Sequence, residues 1–283
     1  MSFRDLIDRP IVVVSTPRSG STLLYETLER APALFTTGQE SHFLIEDMPG
    51  LSPPERGWES NRLTVDDVTP DRCEAISREF YQQCRDRDGR RAEGAIRLLE
   101  KTPKNALRIP FFDAMWPESL FVYLYRDVRE TLASMMEAWA SGGFRTYPQL
   151  PGWQGCPWSM LLVPDWRRLS GRSLPEIVAH QWATTTEIMI ADLQALPRDR
   201  VRVLTYDRFK TAPQQTVEPL AKSLGLRWDR QVSNVLPLSK TTVSPPRADK
   251  WRRLEAEIEA VLPIVEAADS KARAFVDRAG DSR

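Results

Sequence analysis

The sequence predicts an α/β fold built on a parallel sheet, and two stretches of the 283-residue chain carry this prediction. Each is a run of apolar residues followed by a polar turn and a helical pattern, and the runs begin at Ile11 and at Leu120. Continuous apolar runs are typical of strands that are buried on both faces of a parallel sheet. With 41% hydrophobic residues, a chain of this length can bury the core of one large domain or of two small ones.

The first stretch, IVVVSTPRSGSTLLYETL, runs from Ile11 to Leu28 and joins a strand to a helix through a short turn. A glycine in the turn allows a backbone that bulkier residues resist, and the unpaired N–H groups at a helix start bind anions. An arginine adds a planar cation suited to phosphate or sulfate. The stretch therefore predicts an anion-binding loop, whose candidate residues are Arg18, Ser19, Gly20, Ser21 and Thr22.

This loop differs from the ATP-binding P-loop, which requires two glycines and a Gly-Lys-Ser/Thr ending. Here the turn contains only Gly20, and the cation Arg18 precedes it. The strand-PxSGST-helix pattern instead resembles the 5′-phosphosulfate loop of sulfotransferases that use 3′-phosphoadenosine 5′-phosphosulfate (PAPS). The arginine form PRSGST is most similar to the Golgi-type and bacterial branches, including tyrosylprotein sulfotransferases. The resemblance implies a P-loop-like, three-layer fold with a central parallel sheet of about five strands flanked by helices.

Composition excludes several classes of partner. Lysine plus arginine equals aspartate plus glutamate, 39 each, so no global field recruits nucleic acid or a membrane surface. No run reaches membrane-spanning length, and Met1 to Pro10 lacks the apolar core of a signal peptide. The three cysteines lack CxxC or Cys/His metal spacing, which favours reduced thiols. A cytoplasmic location and no metal are therefore expected.

A second strand is predicted at Leu34 to Thr37, followed by the polar segment GQESHF. Because the carboxyl ends of parallel strands meet at one edge of a sheet, we expect this segment near the Arg18 loop. Glu40 and His42 are then the candidates for a general base. The resemblance to the tyrosylprotein and related bacterial branches implies a glutamate base at Glu40, with a one-residue difference in loop length. The cytosolic steroid-type branch uses a histidine, which keeps His42 as the alternative.

A third strand, predicted from Gly94 to Leu99, leads into Glu100, Lys101 and a proline turn. This places a cation on the ligand side of the sheet. The segment resembles the Lys-Asp/Thr-Pro segment of the same sulfotransferase branches, whose lysine reaches the sulfuryl group. A fixed cation there stabilises charge that grows on the leaving oxygen. Lys101 is therefore a catalytic candidate together with Arg18, whereas Lys104 is expected to be solvated.

The second signature begins with the strand from Leu120 to Tyr125, which ends at Arg126. Ser134 lies eight positions later, about two turns into the following helix. This arrangement resembles the 3′-phosphate motif of PAPS enzymes. Its physical basis is discrimination, because a guanidinium and a hydroxyl can hold a 3′-phosphate that ATP lacks.

Two further regions are assigned from composition and resemblance. In the C-terminal quarter, LSK and KW segments resemble the nucleotide loop of the tyrosylprotein branch, which implies contacts from Ser239 and from Lys250, or Arg247 in its place. Residues 141–172 hold three of the nine tryptophans and are long for a plain connection. They fit an acceptor lid or pocket wall, or a loop packed by its own aromatics. No linker divides the chain, so a single sulfotransferase domain over 1–283 with this lid inserted is expected.

Together these residues predict an enzyme that transfers a sulfuryl group from PAPS, its co-substrate, to a small-molecule or peptide hydroxyl. A nucleotide kinase and a non-catalytic nucleotide-binding protein on the same fold are the alternatives. A kinase would need magnesium ligands and a P-loop lysine, which the sequence does not place. The identity of the acceptor and the oligomeric state stay open.

Overall fold

The computed structural model of the protein describes residues 2–244 and 249–280. Short 3-10 turns lie at Val65–Asp67, Pro103–Leu107, Trp166–Leu169, Arg198–Arg200 and Lys250–Leu254. The strands and helices, in chain order, are β1 (Ile11–Val14), α1 (Ser21–Leu28), β2 (Leu34–Phe35), α2 (His42–Glu46), α3 (Pro70–Gln83), β3 (Arg97–Lys101), α4 (Ile109–Met115), β4 (Leu120–Tyr125), α5 (Val128–Ser141), β5 (Arg145–Tyr147), β6 (Trp158–Ser159), α6 (Leu174–Ala195), β7 (Val201–Thr205), α7 (Tyr206–Thr211), α8 (Pro213–Ser223) and α9 (Glu255–Gly280).

The central sheet of the described residues has five strands in the spatial order β2, β3, β1, β4, β7. Every neighbouring pair in it is parallel, which confirms the predicted fold class. The middle strand β1 is buried along its whole length. Ile11 and Val13 pack with residues of α1 and α8, whereas Val12 and Val14 face the side of α3 and α4. Because both faces are covered, the strand has no polar position, and its sequence is continuously apolar.

Helices on the two faces complete three layers, and α6 and α9 extend the core beyond the sheet. These two helices pack against each other along their length and, with α5, enclose the cluster that includes Val178, Ile258 and Val265. Among the residues described, no helix combines the length and the hydrophobicity needed to cross a membrane.

Two predicted boundaries differ from those in the structure. The third strand lies at Arg97–Lys101, because Glu100 and Lys101 pair in register with Val12 and Val13 of β1. The stripe of Ile76, Phe80 and Cys84 in the sequence predicts a helix from Asp71 to Asp88, but α3 ends at Gln83. It stops there because Arg85 forms a backbone bridge with Thr36, which requires extended backbone.

The region 141–172 contains the antiparallel pair β5 and β6. Its tryptophans Trp153, Trp158 and Trp166 contact one another edge to face, and Trp158 also contacts Trp139 of α5. Trp158 and Trp166 are completely buried. These aromatics therefore belong to the hydrophobic core, and the role of the region as an acceptor lid stays a prediction.

The turn between β1 and α1 depends on a glycine. Gly20 precedes the first residue of α1 with a φ of +93°, a left-handed conformation that L side chains rarely adopt. A Cβ atom at this position would lie 2.5 Å from two ring carbons of Tyr206. The turn thus requires glycine for its conformation and for the close approach of an aromatic ring.

Gly20→Ala is expected to lower the free energy of unfolding more than the matched change Gly89→Ala. Both glycines have a positive φ, +93° and +80°, but a Cβ at Gly89 meets no atom within 4 Å. The left-handed backbone costs alanine about 1–2 kcal/mol at either position, and crowding against Tyr206 adds about 1–3 kcal/mol at Gly20 alone. Urea unfolding of the two variants measures the difference. Equal losses would show that the ring moves aside freely.

Candidate active site

One cavity of about 460 Å³ lies where the carboxyl ends of β1, β4 and β7 meet, which is the ligand side of a parallel sheet. Lys101 at the end of β3 lies behind its wall and contacts Thr22 and Glu40, which line it. Ser19 is buried and is not among the lining residues, while Arg247 lies outside the described residues. The predicted site residues that line the cavity are Arg18, Gly20, Ser21, Thr22, Glu40, His42, Arg126, Ser134, Ser239 and Lys250.

The anion-binding loop holds Arg18 in a left-handed conformation with a φ of +68°. Its Nη1 donates to the carbonyl of Thr241 at 2.9 Å, and the guanidinium lies 4.6 Å from the ring centre of Phe144. Its Nε is buried and has no hydrogen-bond partner within the described ranges 2–244 and 249–280. Burial, and then the nearby charge of Arg126, lowers the pKa of Arg18. An anion bound here would offset both effects. Ser19 Oγ instead hydrogen-bonds Thr16 Oγ1 at 2.7 Å.

Lys101 and Glu40 form the second part of the site. Lys101 Nζ lies 2.9 Å from Glu40 Oε1 and 3.1 Å from Thr22 Oγ1. The lysine side chain is 3% exposed and the glutamate side chain is 38% exposed. Lys101 therefore presents its charge from behind the wall, while part of the Glu40 carboxylate remains open to the cavity.

Arg126 follows β4 directly, and Ser134 lines the same cavity from α5. The guanidinium of Arg126 binds Glu130 at 2.9 and 3.0 Å and donates to the carbonyl of Arg18 at 3.0 Å. It also stacks on the ring of Tyr206, with 4.6 Å to the ring centre. The arginine is thus held on several sides and is tied directly to the anion-binding loop.

The predicted C-terminal contacts also reach this cavity. Lys250 Nζ forms an ion pair with Glu137 of α5 and contacts Ser244 Oγ. Ser244 Oγ donates to the same carboxylate at 2.8 Å. Burial by itself would raise the pKa of Glu137, but hydrogen bonds from Lys250 and Ser244 hold it below its usual range. Ser239 Oγ lies 3.1 Å from Thr242 Oγ1 at the cavity wall.

Several lining residues escaped sequence reasoning, namely Glu130, Thr241 and Tyr206. Glu130 carries a usable signal, because a carboxylate four positions after Arg126 on a helix start is placed for an ion pair. The contact between Arg18 and the backbone of Thr241 joins positions 223 apart and leaves no pattern in the sequence.

His42 lies beside a buried ionic cluster. Glu46 accepts from Lys104 Nζ at 2.7 and 2.9 Å and forms an ion pair with Arg108. The expectation that Lys104 is solvated is wrong, because its side chain is 7% exposed. Burial by itself would raise the pKa of Glu46, but the charges of Arg108 and Lys104 hold it below its usual range. Burial, and then the charge of Lys104, lowers the pKa of His42.

The edge of the predicted lid forms the remaining wall. Phe144, Arg145 and Thr146 line the cavity from β5 and the residue before it, and Met160 and Leu161 line it after β6. This wall is mainly apolar, and Arg145 is its charged member. The residues of region 141–172 that line the cavity are therefore not the tryptophans that pack in the core.

Comparisons with known proteins agree on one family. A model of the Sulfotransferase family matches residues 10–230. The protein-tyrosine sulfotransferase of Drosophila melanogaster is 23% identical over 265 residues, which cover 88% of this chain and 46% of that protein. Protein-tyrosine sulfotransferase 2 of Gallus gallus is 22% identical over 239 residues, which cover 82% and 55%. The chain thus spans about half the length of these relatives.

Solved structures show the same fold. The sulfotransferase STF1 from Mycobacterium tuberculosis matches with a TM-score of 0.50 and 16% identity, covering 92% of this chain and 76% of that one. The sulfotransferase STF9 from Mycobacterium avium matches with a TM-score of 0.50 and 13% identity, covering 93% and 77%. At these identities the likeness extends to the fold alone.

Glu46→Gln is expected to lower the free energy of unfolding by about 3–5 kcal/mol near neutral pH, since Lys104 and Arg108 would remain buried without their carboxylate. The pKa of Glu46 is lower in the folded protein than in the unfolded chain. Its stabilising contribution is therefore complete above the unfolded pKa of about 4.3 and disappears as the pH falls through the folded pKa.

Urea unfolding of wild type and variant over a pH series checks this expectation. The stability gap should be widest near neutral pH and should narrow in acid. Glu187→Gln, which removes an exposed carboxylate 3.4 Å from Lys271, is the control and should show a much smaller gap. A gap for Glu46→Gln as small as that of the control would contradict the prediction.

Proposed function

We propose that this chain, which belongs to the sulfotransferase family, transfers a sulfuryl group from PAPS to the oxygen of a hydroxyl acceptor. The observation that carries the proposal is the convergence on one cavity of anion-binding residues from segments far apart in the chain. Composition and periodicity do not require the segments around Arg18, Glu40, Arg126 and Lys250 to meet. Their meeting is what a reaction with a doubly phosphorylated donor needs.

In this proposal the 5′-phosphosulfate binds at the start of α1, where backbone N–H groups and the hydroxyls of Ser21 and Thr22 are available. Arg18 contacts the same group from the loop, and Arg126 and Ser134 hold the 3′-phosphate. The hydrogen bond from Arg126 to the Arg18 carbonyl supports this division, because it sets the distance between the two phosphate sites. Ser239 and Lys250 close the nucleotide side.

The chemistry is a single displacement at sulfur. The acceptor oxygen attacks the sulfur atom while the bond from sulfur to the 5′-phosphate oxygen breaks, so that 3′-phosphoadenosine 5′-phosphate leaves. Glu40 accepts the proton of the acceptor hydroxyl. Arg18 and Lys101 stabilise the negative charge that grows on the leaving phosphate. Positioning and electrostatics supply most of the rate, and no step assigns a role to a metal.

His42 is the alternative base. Its lowered pKa favours the neutral ring, which can accept a proton near neutral pH. Glu40 has stronger support, because it contacts the cation proposed to act on the sulfuryl group, Lys101. By contrast, Nδ1 of His42 is buried and has no hydrogen-bond partner among the residues described.

The acceptor is proposed only by class. The relatives are named protein-tyrosine sulfotransferases, so a tyrosyl peptide is the first candidate, and a small phenol or alcohol is the second. The apolar wall formed by Phe144, Met160 and Leu161 suits an aromatic or aliphatic body behind the hydroxyl. A cytoplasmic location and a bacterial source stay predictions.

Binding of 3′-phosphoadenosine 5′-phosphate is expected to raise the melting temperature of the wild type, whereas ADP is expected to leave it unchanged. A ligand at a hundred times its Kd stabilises the folded state by about 2.7 kcal/mol, which differential scanning fluorimetry detects. Arg126→Ala should abolish the difference between the two nucleotides. Arg129→Ala is the matched control, because Arg129 lies three positions after Arg126 in the first turn of α5, pairs with Glu259 and is not among the lining residues of the cavity.

The outcomes separate the candidate functions. Stabilisation by ADP or Mg·ATP as strong as that by the 3′-phosphate compound would favour a kinase or a generic nucleotide binder. Selective stabilisation followed by transfer of labelled sulfate from PAPS to a tyrosyl peptide or to para-nitrophenol would support the proposal. Selective binding without transfer to any acceptor would indicate a non-catalytic protein.

Glu40→Gln is expected to lower kcat by a factor of about 10²–10⁴, the usual contribution of a general base, and to leave the Kd for 3′-phosphoadenosine 5′-phosphate nearly unchanged. The amide keeps an oxygen that can accept from Lys101, so the lysine stays in place. His42→Gln should reduce kcat far less. Steady-state kinetics with a tyrosyl peptide measures both variants, and a larger loss for His42→Gln would assign the base to the histidine.

A further inference from the structure

Glu100 is a buried carboxyl group that the proposed reaction leaves without a role. It is 0% exposed, and in the part of the chain that the structure describes its Oε2 has no hydrogen-bond partner. Burial raises its pKa, although hydrogen bonds from Ser41, Thr102 and Asn105 act in the opposite direction. A carboxyl group enclosed in this way lowers stability unless its contacts compensate. Groups that reduce stability in a well-packed core are candidates for a functional role.

The other oxygen of this carboxyl group joins the end of β3 to the loop that carries Glu40. Glu100 Oε1 accepts from Ser41 Oγ at 2.5 Å, from Thr102 Oγ1 at 2.9 Å and from Asn105 Nδ2 at 2.9 Å. Thr102 Oγ1 in turn accepts from the backbone N–H of Ser41 at 3.0 Å. Both the backbone and the side chain of Ser41 are therefore attached to one buried cluster.

The register of β3 makes this attachment two-sided. Successive side chains of a strand point to opposite faces, so Lys101 faces α1 and the cavity while Glu100 faces the layer of α3 and α4. Lys101 holds Glu40, and Glu100 holds the next residue, Ser41. At its other end the loop is tied by Thr36, whose backbone pairs with Arg85. The Glu100 cluster thus fixes Ser41, the residue that follows Glu40 and precedes α2.

We propose that Glu100 is a positioning residue, which binds Ser41 and so holds the loop of Glu40 in place for proton transfer. The inference rests on the proposed function, because it assigns a role within the same site. A base displaced by about 1 Å can lose up to a hundredfold in rate, so a modest change in this loop has a measurable effect on kcat. The nucleotide contacts at Arg126, Ser134 and Lys250 lie on other elements and should not change.

The primary variant is Ser41→Ala, which removes the hydroxyl and leaves Glu100 and Lys101 in the sequence. It is expected to lower kcat about tenfold and to change the Kd for 3′-phosphoadenosine 5′-phosphate by less than about twofold. Ser77→Ala is the matched control, because Ser77 is another serine at 0% exposure, and its Oγ accepts from Trp116 Nε1 at 3.1 Å. The control should lose stability without losing kcat.

Variants of the carboxyl group test the same contact from its other side. Glu100→Gln retains an oxygen that accepts from Ser41, so kcat should stay within about threefold of the wild type. Glu100→Ala should lower kcat at least as much as Ser41→Ala, because it also removes the hydrogen bonds from Thr102 and Asn105. The double variant should lose no more than Glu100→Ala, because the bond between Ser41 and Glu100 is then already absent. If Glu100→Ala does not fold, Ser41→Ala and Glu100→Gln still decide the matter.

A second readout does not depend on turnover. Amide hydrogen exchange of residues 36–42 should accelerate in Ser41→Ala and Glu100→Ala but not in Glu100→Gln or Ser77→Ala. Assays use labelled PAPS with a tyrosyl peptide and with para-nitrophenol. Wild-type kcat and unchanged loop exchange in Ser41→Ala would overturn the inference, as would an equal loss of kcat in Ser77→Ala.

The two proposals fail in distinguishable ways. A wild type that binds the nucleotide but transfers no sulfate to any acceptor rejects the proposed function, and the exchange data alone then decide whether Glu100 fixes this loop. A wild type that transfers sulfate, with variants that keep its rate, leaves the function standing and rejects the role of Glu100.

Discussion

The cations Arg18, Lys101, Arg126 and Lys250 lie close together at the carboxyl edge of the sheet, and their mutual repulsion has to be balanced around a cavity of about 460 Å³. Three of them are balanced by carboxylates that the fold brings to within ion-pair distance. Without these partners, the charges would oppose the approach of the strands and loops that carry them. The pairs are Lys101 with Glu40, Arg126 with Glu130 and Lys250 with Glu137.

Arg18 differs from these three, because within residues 2–244 and 249–280 it has a carbonyl and an aromatic ring as neighbours but no carboxylate in an ion pair. In the proposed function, an anionic group at the loop that precedes α1 would find an unpaired guanidinium. A second phosphate would have to compete with the carboxylates for Arg126 and Lys250.

Two buried polar groups support the site from outside the cavity. Glu46, the last residue of α2, pairs with Lys104 and Arg108, and Glu100 ties the loop before α2 to β3. Both place charged or polar atoms inside a core that apolar side chains could fill. This arrangement is what a base on a short loop requires, because a loop has little packing of its own to hold a side chain in one position.

Local pattern determined the parallel α/β fold, and most of the residues that it predicted for the candidate site line the cavity. An apolar run such as Ile11–Val14 indicates a strand buried on both faces of a sheet, and ligands bind where such parallel strands end. The strands and the ligand edge can therefore be predicted from short stretches of sequence. Only the tertiary structure decided that Lys104 is buried, that Glu137 pairs with Lys250 and that Glu100 holds Ser41. These contacts join side chains far apart in the chain, and the free energy of an ion pair or a buried hydrogen bond depends on partners and exposure that only folding supplies.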